Sequence, residues 1–103
     1  MNQQLEIQVE PFETDSDTCV IRPNREVAKT PEYFSTVEEA SSHPLGKKLI
    51  QIEGLEAVLL QDRIVTLLKP VPGPAWDPIA EQASVVIREH FEDLDRIQKN
   101  RTR

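Results

Sequence analysis

The chain has 103 residues, of which 38% are hydrophobic and 29% are charged, with a formal charge of −6. This length allows one domain with a single core, and it is too short for a catalytic domain plus a cofactor domain. The last eight residues contribute four basic and no acidic side chains, so residues 1–95 carry a charge of −10. Because such an acidic body repels phosphate backbones and anionic lipids, we expect no nucleic-acid or membrane partner.

A lone cysteine, Cys19, excludes an internal disulfide and leaves no Cys-based metal site within one chain. The first six residues lack the basic start and apolar run of a secretory signal, and no segment approaches the roughly 20 apolar residues of a membrane span. We therefore expect a cytoplasmic protein.

Alternating residues predict strands in the first third of the chain. Leu5, Ile7 and Val9 alternate with polar residues, and residues 18–22 follow an acidic turn as a second, antiparallel strand that contains Cys19. Residues 26–28 are predicted to form a short third strand.

Next to this third strand, Thr30-Pro31-Glu32 is expected to interrupt regular structure, and Tyr33 and Phe34 are expected to point toward the core. Ser35 and Glu38 then match a capping box, in which each side chain satisfies a backbone N–H, and this predicts a short helix over residues 36–41.

A second helix is predicted to begin at Ser42-His43-Pro44, because proline is tolerated in a first helical turn. Gly54 is placed where a left-handed residue would end that helix. Residues 57–60 and 64–68 then form a predicted hairpin around a turn at residues 61–63. Both strands are almost continuously apolar, so the hairpin is either covered on both faces by neighbours or leaves one apolar face open to a partner.

A stiff connector with three prolines, residues 70–74, ends the sheet, and Asp77-Pro78 predicts the start of a long final helix. Its apolar positions recur at steps of mostly three and four residues: Ile79, Ala83, Val86, Ile87, Phe91, Leu94 and Ile97. The predicted fold is a two-layer α+β arrangement in ββ(β)αββα order, with a mostly antiparallel sheet and the helices on one face. We expect a single domain over residues 1–103, with its core in about residues 5–92 and a polar, basic helix end at 96–103.

The residue types that carry chemistry do not form a recognisable site. Cys19, His43 and His90 are the only soft or imidazole ligands, and they lie far apart in the sequence. The acidic loop Glu13-Asp15-Asp17 lacks the glycine and distal glutamate of a calcium loop. With three glycines, the chain has no nucleophile elbow or phosphate-binding loop. We therefore expect neither an enzyme nor a bound metal or cofactor.

A series of structural motifs resembles the N-terminal domain of the Nfu/NifU-type iron–sulfur cluster scaffold proteins. The series covers roughly residues 5–92 and runs through Phe34-Ser35, Glu39-Ala40, Pro44-Leu45, Ile52, Gly54, Val58, Ile64-Val65-Thr66-Leu67, Lys69, Trp76 and His90-Phe91. The acidic loop at residues 13–17 departs from the family, whose members have a proline–asparagine–proline turn there. The family's full-length scaffolds hold their cluster through a Cys-x-x-Cys motif in a separate C-terminal domain, so no cluster ligand carries over to these residues.

The resemblance implies a stand-alone accessory module that docks a scaffold, client or delivery partner in iron–sulfur cluster assembly. We accordingly expect a monomeric protein-interaction module. The alternative is direct iron or cluster binding, through Cys19 from two chains or through surface carboxylates. For an interface, we select the sheet face and its rim: Arg22, Arg25, Arg63 and Trp76. Trp76 is expected in the core or in a hydrophobic staple, with a partner anchor as the alternative.

Overall fold

The computed structural model describes residues 4–13 and 15–101, with side chains as far as residue 97. Within these residues the elements follow the order β1 (Ile7–Val9), β2 (Thr18–Pro23), β3 (Ala28–Phe34), α1 (Pro44–Ile50), β4 (Ala57–Asp62), β5 (Ile64–Leu68) and α2 (Trp76–Arg101). The five strands form one sheet in the order β1-β2-β5-β4-β3, and all neighbouring strands are antiparallel. The predicted α+β class is confirmed.

The β4–β5 hairpin is the centre of the sheet. Gln61 pairs with Ile64, so the turn is only two residues long. Asp62 has a φ of 53°, a left-handed conformation that aspartate tolerates better than most side chains. The predicted hairpin is confirmed, with each strand close to its expected bounds.

One face of the sheet carries the core. The register places Ile21 and Leu60 on either side of Val65, and Cys19 and Val58 on either side of Leu67. These side chains form one buried cluster with apolar residues of both helices, among them Leu45, Leu49, Ile79, Ala83, Ile87 and Phe91. The helices therefore cover the same face, as predicted, and we call it the inner face.

The third strand is longer than predicted. Residues 30–32 belong to β3, which lies at the edge of the sheet and is irregular between Ala28 and Glu32. An edge strand accommodates Pro31 because one side of its backbone has no partner strand. Phe34 is buried as expected, but the inward orientation expected for Tyr33 is wrong, since its side chain is 59% exposed.

The short helix predicted over residues 36–41 is wrong. The segment is a series of turns in which Thr36 Oγ1 accepts from the Glu39 N–H, and Glu39 Oε1 accepts from the Ser35 N–H at 2.7 Å. The turn is thus capped by Thr36 and Glu39 rather than by Ser35 and Glu38. The hydrogen bonds that the Ser35 N–H and hydroxyl donate to the Glu39 carboxylate lower its pKa. A residue before proline is biased away from helical geometry, and His43 is extended, so regular helix begins only at Pro44.

Helix α2 begins at Trp76, one residue before the predicted N-cap, so Asp77 lies in its first turn. A carboxylate there still interacts favourably with the helix dipole. The helix continues to Arg101, and the last core side chain on it is Phe91. Neither described helix has a stretch that is both long enough and apolar enough to cross a membrane.

Gly46 fixes the distance between α1 and β3, which gives a test of this packing. A Cβ added to Gly46 would lie 2.7 Å from Cδ2 of the buried Phe34 ring. We predict that Gly46→Ala lowers the free energy of unfolding by about 1–3 kcal/mol, although alanine is intrinsically better than glycine in a helix by about 1 kcal/mol. Urea unfolding followed by circular dichroism measures the change.

The neighbouring exposed residue Lys47 provides the matched control, because Lys47→Ala should change the stability by less than about 0.5 kcal/mol. A Gly46→Ala variant that is as stable as the parent, or more stable, would contradict the close packing of α1 on Phe34.

Candidate interaction surface

The face of the sheet opposite the helices, which we call the outer face, is rich in aliphatic side chains. The strand registers assign eleven residues to it: Gln8, Thr18, Val20, Arg22, Tyr33, Ala57, Leu59, Gln61, Ile64, Thr66 and Leu68. Ala57 is buried at 1% exposure, but none of the eleven belongs to the core cluster or packs against it. Within the described part of the chain, both helices lie on the inner face, so no helix covers the outer face.

The centre of the outer face is an apolar patch made of Val20, Leu59, Ile64 and Leu68, with Tyr33 at its edge. The four aliphatic side chains are half-buried by their neighbours in the sheet, and Tyr33 is exposed. Of the two alternatives that the apolar hairpin runs allowed, the structure therefore shows the open face.

Charge is distributed unevenly around this patch. The chain has 18 acidic residues, but none of them occupies one of these eleven positions. Arg22 is the one charged residue among the eleven. Its Nε donates to the carboxylate of Glu10, which follows β1 opposite Val20 and so lies at the edge of the outer face. Depletion of charged residues and the presence of tyrosine are features of the buried centre of protein interfaces.

The size of the patch limits what it can hold. Strands lie about 4.8 Å apart and rise about 3.3 Å per residue, so a patch four strands wide and five residues long covers roughly 300 Å². Apolar patches of this size on monomers are often functional. However, a standard interface buries about 800 Å² per partner. The patch therefore suits a weak or transient complex, or the centre of an interface that extends over its rim.

The edges of the sheet are poorly suited to adding a strand from another protein. Strand β1 has only three residues, while β3 contains Pro31 and the irregularity between Ala28 and Glu32. Short strands, prolines and bulges are the features by which natural sheets block their edges. A partner would therefore meet this sheet through its face and not by β-strand addition.

The structure separates the four residues selected from the sequence. Arg22 lies on the outer face, and the register puts it at the same end of the sheet as Arg63, which is exposed in the β4–β5 turn. Arg25 lies on the helix side, where its guanidinium is 4.5 Å from the centre of the Phe91 ring and donates to both carboxylate oxygens of Asp95 at 3.0 Å. Only Arg22 and Arg63 are thus placed at the rim of the apolar patch.

Trp76 is part of the core and not of the surface. Its side chain is 1% exposed, and its Nε1 donates to the Ser16 carbonyl at 2.6 Å. The ammonium of Lys69 lies 5.3 Å from the ring centre, and the Phe12 ring lies 6.3 Å away. The aliphatic side chains of the patch were not named individually from the sequence, although the unbroken apolar runs of β4 and β5 were the signal for them.

The possible metal ligands do not converge. Cys19 is buried on the inner face, and this burial raises the pKa of its thiol. His43 and His90 lie near the junction of the two helices. Among residues 4–13 and 15–101 there is no group of three or more histidine, cysteine, aspartate or glutamate side chains that could hold a metal ion. The acidic residues 13, 15 and 17 line an open surface cavity together with Pro11, Phe12 and Val71.

The comparisons with known proteins agree with the resemblance seen in the sequence. The family model described as "Scaffold protein Nfu/NifU N terminal" matches residues 7–94, which extend from β1 far into α2. No match is found among the curated proteins. The family implies a scaffold domain linked to iron–sulfur cluster assembly, and it is not typically catalytic. The match covers most of the chain, which therefore belongs to the family of Nfu/NifU scaffold-protein N-terminal domains.

Proposed function

We propose that this protein is a non-catalytic accessory module of iron–sulfur cluster assembly or delivery, and that it binds its protein partner through the outer face of the sheet. The observation that carries this proposal is the uncovered apolar patch, which is free of acidic residues in an otherwise acidic chain. The family supplies the link to iron–sulfur assembly.

A non-catalytic role is supported by the way the reactive side chains are used. Cys19 packs in the core, and His43 caps α1 by accepting a hydrogen bond from the Gly46 N–H. Both groups are thus engaged in maintaining the fold, whereas a nucleophile and its base must be free to contact a substrate.

The partner that fits this surface has an apolar patch of similar size. Acceptor groups next to that patch would meet the exposed Arg63 at one end of the sheet, beside the Arg22–Glu10 pair. Since roughly 300 Å² is less than half of a standard interface, the complex should be transient, as suits a module that delivers or presents a client.

The small area of the patch also supports a monomer, because two copies joined only through this patch would bury too little area for a stable dimer. The single cysteine supports a reducing, cytoplasmic compartment.

The proposal is tested by photo-crosslinking from the centre of the patch. A photoreactive amino acid at Thr66 is combined with Leu59→Glu in one variant and with Val85→Glu in another. Val85 is 50% exposed on α2, so it receives the same new charge away from the outer face. We predict that native lysate yields cross-links to cluster-assembly or cluster-containing proteins, and that Leu59→Glu reduces them at least about tenfold, as expected for a central interface residue.

The Val85→Glu control should leave these cross-links unchanged. Equal cross-linking by the Leu59→Glu variant would show that the patch is not the binding surface. Recovery only of proteins unrelated to iron–sulfur clusters, with the same sensitivity to Leu59→Glu, would leave the surface standing but contradict the proposed pathway.

The alternative, direct iron or cluster binding, is least compatible with the position of Cys19. A thiol that is 1% exposed and has a raised pKa cannot meet a second chain unless the core opens, and metal binding requires the thiolate. We predict that Cys19 in the native protein reacts with an aromatic disulfide reagent at least about a hundredfold more slowly than in urea, because reaction requires partial unfolding.

A Cys19→Ser/Val20→Cys double variant is the matched control, since it moves the thiol by one residue to the outer face, where reaction should be fast without urea. Rapid native labelling of Cys19, together with stoichiometric iron binding that is lost in Cys19→Ser, would favour the metal-binding alternative.

A further inference from the structure

His43 caps helix α1 in a way that depends on its protonation state. The backbone N–H of Gly46 donates to His43 Nδ1 at 3.1 Å, and His43 Nε2 lies 3.2 Å from the carbonyl oxygen of Val27. Because Nδ1 accepts, the proton of the neutral ring is on Nε2, which donates to Val27. A single neutral tautomer therefore satisfies both contacts, and the Phe34 ring, 5.6 Å away, packs beside it.

Histidine is an unusual residue for this position. N-caps are normally serine, threonine, aspartate or asparagine, whose oxygens remain acceptors near neutral pH. Histidine is the side chain that ordinarily changes charge between pH 5 and 8. When Nδ1 takes a proton from water, it becomes a donor facing another donor, and the hydrogen bond to the Gly46 N–H is lost.

The surroundings of this cap are already rich in positive charge. His90 of α2 is half-buried, and its pKa is lowered first by burial and then by Lys48, His43 and Arg25, while Asp93 acts in the opposite direction. The two nearby acids are engaged by the fixed cations, since Asp95 pairs with Arg25 and Asp93 lies 3.7 Å from Lys48. An added positive charge on either histidine would therefore find no carboxylate among these two that is not already paired with a cation.

We propose that the junction of α1 with α2 and β3 is a pH-responsive element, in which protonation of His43 removes the N-cap of α1 and the added positive charge loosens α1 from its neighbours. The described groups that face the junction are Arg25 from the β2–β3 loop, Lys48 from α1, and His90, Asp93 and Asp95 from α2. The outer face lies on the other side of the sheet, so this inference does not rest on the proposed function.

The direction of the pH effect follows from His90. Its pKa in the folded protein is lowered from the ordinary value of 6.5, so an opened state binds a proton at a pH at which the closed state does not. The closed junction is therefore most stable above about pH 6.5 and loses stability as the pH falls through that value.

Amide hydrogen exchange tests the proposal on the intact protein. After correction for the intrinsic exchange rates, we expect the protection of the α1 amides, Gly46 included, to fall at least tenfold relative to β4 and β5 between pH 7.5 and pH 5.5. His43→Asn keeps a capping acceptor that does not titrate, so this variant should retain most of the α1 protection. His90→Gln should reduce the loss in part.

A second measurement needs no variant. The ring nitrogen shifts of His43 should report the Nε2–H tautomer at pH 7.5, the form in which Nδ1 accepts from the Gly46 N–H. Unchanged α1 protection in the parent protein, an equal loss in His43→Asn, or a ring that carries its proton on Nδ1 at pH 7.5 would each overturn the proposal.

Discussion

The central strands β2, β5 and β4 carry apolar side chains on both faces, and the two helices cover only one of them. Successive side chains of a strand point to opposite faces of the sheet. The inner face therefore receives Cys19, Ile21, Val65 and Leu67, and the outer face receives Val20, Thr66 and Leu68. The inner set is closed off by α1 and α2, which complete the core. The outer set is left facing solvent, and the exposed patch is therefore a direct consequence of a two-layer fold whose central strands carry apolar side chains on both faces.

This one-sided packing also explains where the remaining side chains lie. Trp76 begins α2 and fills the core between Lys69 and Phe12, so its large ring serves the helix–sheet contact and not a partner. Arg25 is drawn to the helix side by Phe91 and Asp95. The centre of the outer face holds no acidic side chain, and Glu10 at its edge pairs with Arg22.

The sequence predicted those elements whose local signals agree with the tertiary structure. The hairpin, the long final helix and the left-handed φ of Gly54 all follow from strong periodicity or turn chemistry. The helix over residues 36–41 failed because an overlapping Thr36–Glu39 pair offered an equivalent cap one residue later, and because Pro44 interrupts the helix at His43. The length of β3 and the exposure of Tyr33 could not be predicted, since both depend on β3 being an edge strand.

Methyl NMR with a purified partner would show directly whether the outer face binds a protein of iron–sulfur assembly. We predict that the methyl signals of Val20, Leu59, Ile64 and Leu68 shift or broaden on titration, while those of Val85, Leu94 and Ile97 on α2 remain unchanged. Perturbations confined to α2, with an undisturbed outer face, would contradict this binding mode and move the binding surface to the helical side.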